Sequence, residues 1–87
     1  MTPEQEKALT EIQKAFVAMP ETESMLAGYA ALLANTPADD IERQCNNIGH
    51  CFYLTLQQTA PDMSEAMQLG LPYAFSRLLL QRMQKAN

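Results

Sequence analysis

The chain has 87 residues, 47% of them hydrophobic, and carries a formal net charge of -4. That length holds one domain, residues 1–87, and a chain so short buries only about 60–65% of its unfolded surface. Residues 1–42 bear eight acids against Lys7 and Lys14, while residues 43–87 bear Asp62 and Glu65 against Arg43, Arg77, Arg82 and Lys85. An acidic chain lacks the basic footprint that neutralises phosphates, so direct binding of nucleic acid is not expected.

The first fourteen residues are polar and acidic, unlike a secretory leader, and no run approaches the roughly 18–20 apolar residues that span a bilayer. A cytoplasmic location with no membrane association is expected. Cys45 and Cys51 lie six apart on one expected helix, about 120° apart around its axis, and cannot pair while that helix is intact. Two buried, reduced thiols follow, in keeping with that compartment.

In chain order the signals are helical. Thr2-Pro3-Glu4-Gln5 places a Thr cap, a Pro at the first helical position and a Gln where a capping box needs it. Leu9, Ile12, Phe16 and Met19 then mark one buried face, and Pro20 ends the helix. A second helix is expected from Thr22 or Ser24 to about Asn35, with Met25, Leu26, Tyr29, Leu32 and Leu33 as its stripe. Gly28 and several alanines thin its surface enough for another helix to approach. Thr36-Pro37 repeats the cap and opens a third helix to Thr59, whose stripe is Ile41, Cys45, Ile48, Phe52 and Leu56.

Pro61 stops that helix. Asp62-Met63-Ser64-Glu65 reads as another capping box, opening a short helix that Gly70 closes in the left-handed conformation. Leu71-Pro72 begins the last helix or kinks a continuous one. Leu78, Leu79 and Leu80 together cover about 200° of arc, twice what a peripheral helix needs, so this helix is central to the bundle or shared with a partner. The expected fold is all-α, a compact bundle of four to five helices joined by short loops.

Chemistry is sparse. With one histidine, His50, and two diverging thiols, the four convergent ligands that zinc prefers cannot be assembled, and no calcium-loop pattern or Gly-rich phosphate loop is present. His50 and Cys51 are neighbours on a helix and point about 100° apart, which argues against a nucleophile and base pair. No cofactor, metal or catalytic residue is expected. Asn46, His50, Tyr53 and Gln57 form a polar strip at helical spacing beside the apolar stripe of the third helix. Six methionines are many for this length: Met1, Met19, Met25, Met63, Met67 and Met83. Met63, Met67, Tyr73 and Leu80 are the candidate interaction surface.

These features point to a small acidic protein-interaction module, an adaptor, inhibitor or chaperone-like escort. It would bury a helical surface against a protein partner or its own copy, a homodimer. The alternative is a small-ligand-binding regulatory domain with a pocket bordered by Asn46, His50 and Tyr53.

Overall fold

Thr2 closes the start of the first helix from both sides. Its hydroxyl accepts from the Gln5 backbone N–H at 3.1 Å, and its own N–H donates to the Gln5 side chain at 2.9 Å. This capping box and Pro3 at the first position set α1 over Pro3–Val17 in a computed structural model describing residues 2–86. Pro20 ends α1 and also serves as the first residue of α2, Pro20–Leu32, so the second helix starts earlier than Thr22. Met1, one of the six methionines, lies outside the described residues.

Thr36 does not open the third helix. A 3-10 turn, Ala38–Asp40, comes first, and α3 runs Ile41–Thr59. Asp40 turns its carboxylate to Arg43 Nε at 2.7 Å and Gln44 Nε2 at 3.2 Å, rather than capping the backbone. At the far end of α3 the buried Gln68 side chain donates to the Ala60 carbonyl at 3.0 Å, tying the connection back to the last helix.

That last helix, α4, is continuous over Glu65–Ala86, with Pro72 inside it. Its cap is Ser64, whose Oγ accepts from the Met67 N–H at 3.3 Å. Gly70 stays helical instead of closing a short helix, because no glycine has a positive φ. Pro72 has no N–H to offer the Gln68 carbonyl, so this turn lacks one backbone bond. Packing holds it nonetheless. On one side a Cβ placed on Gly49 of α3 would lie 3.0 Å from Ser76 Cβ and 3.2 Å from the Pro72 carbonyl oxygen. On another side a Cβ on Gly70 would lie 2.8 Å from Ile12 Cδ1 of α1. The weakest turn of α4 is clamped between two neighbours.

Among the described residues the fold is an all-α bundle of four α-helices joined by short loops, with α4 at its centre packed on the other three. Paired contacts give the directions. Ile12 meets Gly70 and Phe16 meets Phe75, so α1 runs with α4. Tyr29 meets Phe75 while Glu23 pairs with Arg82, so α2 runs against it. Ala74, Phe75 and Leu79 have no exposure, which accounts for the wide apolar arc of this helix. Around them lie Phe16, Leu26, Leu33, Ile41, Cys45 and Met83.

Four rings, one per helix, join at the middle. Phe75 lies 6.4 Å from Phe16, 5.7 Å from Tyr29 and 5.6 Å from Phe52, and Phe16 meets Phe52 edge-on at 6.3 Å. The stripe of α2 differs from the sequence reading: Thr22, Leu26 and Leu33 are buried, whereas Met25 and Leu32 face outward. The Glu23–Arg82 ion pair is partly exposed and contributes little, under about 1 kcal/mol.

Two predictions follow from this packing. Phe75→Ala removes the shared ring and should cost about 3–5 kcal/mol, much of the stability of a domain this size. Urea unfolding followed by circular dichroism measures it, and a loss under about 1 kcal/mol would remove Phe75 from the centre of the core. The glycines should respond with opposite signs. Nothing lies within 4 Å of a Cβ at Gly28, so Gly28→Ala should stabilise by about 0.5–1 kcal/mol. Gly49→Ala presses on Ser76 and the Pro72 carbonyl and should destabilise by about 1 kcal/mol after the gain in helix propensity.

Candidate functional site

Leu69 and Tyr73 are one turn apart on α4, on a face that neither α1 nor α3 covers. They are 52% and 44% exposed, high values for large side chains on the central helix. They form a ridge with a groove on each side, and both residues line both grooves.

On the α3 side the groove is about 300 Å³ and is lined by Asn46, Gly49, His50, Tyr53, Leu69, Pro72, Tyr73 and Ser76. Three members of the polar strip, Asn46, His50 and Tyr53, therefore converge on one concavity. Gln57, the fourth, lies outside it and donates to Tyr53 Oη at 2.7 Å, orienting that phenol. The His50 and Tyr53 rings are 6.4 Å apart and tilted by 34°. Ser76 Oγ donates to the Tyr73 carbonyl at 3.0 Å, a local bond that engages its proton. Gly49 shapes this groove by letting α3 approach α4 closely enough to form its floor.

The groove on the α1 side is larger, about 650 Å³, open along its length and almost wholly apolar. Ala8, Leu9 and Ile12 form one wall, Ala66, Leu69, Gly70 and Tyr73 the other, with Gln5 at one end. The small residues Ala8, Ala66 and Gly70 make it deep, because a larger side chain at any of them would fill it.

The candidate interaction residues fall in different places. Tyr73 is on the ridge. Met67 is 38% exposed on α4 but lines neither groove. Met63 is half-buried in the α3–α4 loop, and Leu80 is half-buried against the core cluster. Leu69, Ala8 and Ile12 are surface residues the sequence reading did not single out as such. The signal available for Leu69 was its one-turn spacing from Tyr73, off the face that carries Phe75 and Leu79.

A third concavity, between α2 and α4, holds Glu23, Leu26, Leu78, Arg82 and Lys85, and its Glu23 and Arg82 pair with each other. Among the described residues no three His, Cys, Asp or Glu side chains gather where they could hold a metal ion, and no helix is long and apolar enough to cross a membrane. Comparison with protein-family models, with proteins of known function and with solved structures finds no match.

Both thiols are free, yet only Cys45 is buried, and Cys51 is exposed. The expectation of two buried thiols fails for Cys51 because its position, about 120° from Cys45 on α3, faces solvent. Burial, and secondly the negative charge of Glu42, push the Cys45 thiol above its ordinary range. Cys51 should therefore react with a thiol reagent at once and Cys45 only on unfolding, as mass spectrometry of the labelled chain would show. The raised value also sets a direction with pH. Below the unfolded thiol range, near pH 8.5, the group makes no pH-dependent contribution; above it the unfolded chain loses its proton first, so stability falls as pH rises. The drop between pH 7 and pH 10 should shrink in Cys45→Ala, and an unchanged drop would contradict this account.

Proposed function

We propose that this chain is a non-enzymatic protein-interaction module that docks a helical element of a partner on the Leu69–Tyr73 ridge. The observation that supports it is the continuous apolar surface formed by that ridge and the groove on its α1 side. Phe16, Phe75, Leu79 and Met83 are buried, whereas Leu69 and Tyr73 remain outside. Large apolar side chains beside an apolar groove are what a partner's side chains need for burial. Aromatic residues such as Tyr73 are enriched in the centre of such interfaces. Function as an adaptor, inhibitor or escort is consistent with this mode.

A second reading has its own support. The groove of about 300 Å³ presents Asn46, His50 and Tyr53 together, which suits a small polar ligand and a regulatory role. The two differ in where binding would be felt. A small ligand would perturb Asn46 and His50 and leave Ala8 and Ile12 unchanged.

The test compares the wild-type chain, the double variant Leu69→Glu/Tyr73→Glu and the control Leu54→Glu, which alters an exposed leucine of α3 off the ridge. Absolute mass by light scattering and affinity capture from the native host provide the readouts. Loss of a complex in the double variant, with the control unaffected and helicity intact in both, supports docking on the ridge. Equal behaviour of all three chains would overturn it.

A further inference from the structure

Resting on the docking reading above, we infer that the occupant of the α1–α4 groove is a short amphipathic helix with basic residues flanking its apolar face. Shape comes first. The lining positions run from Gln5 to Ile12 on α1 and from Ala66 to Tyr73 on α4, about two turns or roughly 10 Å on each wall. That length takes three apolar anchors of a helix at positions i, i+3 or i+4, and i+7. Among the described residues there is no strand whose edge could accept an extended peptide. A polyproline segment wants an aromatic-lined groove, and this one has Tyr73 alone.

Charge then selects among helices. Glu4 and Glu11 each lie one turn from Ala8, and Glu65 lies one turn before Leu69; all three are exposed. Asp62 sits just before α4, at the same end as Glu65. Opposing them are Arg77, one turn past Tyr73, Lys7, exposed and one turn from both Glu4 and Glu11, and Lys14, which lies 3.9 Å from Glu11. The charges around the apolar floor thus include more carboxylates than cations, and Glu4, Asp62 and Glu65 lie at the end where α1 and α4 both begin. Basic side chains beside the anchors of an incoming helix would meet them, and acidic ones would be repelled.

A second copy fits poorly on the same grounds. Presenting the Leu69–Tyr73 ridge itself would set the same carboxylates against their copies, and the exposed strip of Met25, Gly28 and Leu32 lies on α2, a helix that contains Glu21 and Glu23 and no basic residue. Docking it would set acid against acid.

The test uses three stapled helical peptides of about fifteen residues. One has leucines at i, i+4 and i+7 with Lys and Arg flanks, the second the same leucines with Glu flanks, and the third the basic flanks with serine at the anchors. Titration calorimetry gives affinity and amide chemical shifts of the whole protein give the site. The inference expects the first peptide to bind at least about tenfold more tightly than either other, shifting Leu9, Ile12, Leu69 and Tyr73. Binding should weaken with salt, and by about tenfold in Glu4→Gln/Glu11→Gln/Glu65→Gln, with helicity checked. Equal groove binding by the basic and acidic peptides would overturn the basic partner and leave docking on the ridge standing. Equal binding by the leucine and serine peptides would overturn the apolar anchoring. If no peptide shifts the groove, the inference fails, whereas the docking reading fails only if the ridge variant also matches wild type in mass and capture.

Discussion

Phe75 meets a ring from each of the other three helices and has no exposure to solvent. The positions of the other elements follow from that one side chain. Phe16, Tyr29 and Phe52 are at once its contacts and the points that bring α1, α2 and α3 onto α4. Aromatic pairs at 5.6–6.4 Å add attraction beyond the area they bury, and their tilted geometries make the join specific in angle. A domain with so little volume has no second core to fall back on.

The helix around Phe75 carries an apparent contradiction. Gly70 and Pro72 are the two poorest helix formers, yet with Leu71 they lie inside the chain's longest helix. Local propensity works against continuity here by a few kcal/mol. Close contact with Gly49 of α3 and Ile12 of α1 outweighs it, because breaking the helix at this point would pull both neighbours off the core. The same turn projects Leu69 and Tyr73 outward. The ridge and its two grooves are thus consequences of how α4 is held through its weak point.

This explains which parts were readable from residues alone. The cap at Thr2 and Gln5 was legible because its partners are three residues apart. The inward face of α3 was legible from its spacing. So was the polar strip, since Asn46, His50 and Tyr53 share one helix, although the groove they enter needed α4 as its other wall. The continuity of α4 was not legible, because it depends on contacts from distant helices that override local breakers. Nor was the outward turn of Met25 and Leu32: from Met25 onward α2 has no polar side chain except Tyr29, so its periodicity did not select the buried face. The groove between α1 and α4 left no local mark, since each wall is an ordinary alanine- and leucine-bearing helix surface.

Because α1 and α4 lie far apart along the chain, with α2 and α3 between them, the groove they share exists only in the assembled bundle. The hydrogen bonds of each helix are local, whereas Ile12 and Gly70 meet only when the chain between them is closed into a loop. A chain cut before α4 would lack both Phe75 and the groove. Binding on this surface would therefore discriminate the finished bundle from its precursors, and a bound partner would favour the complete fold over them by mass action.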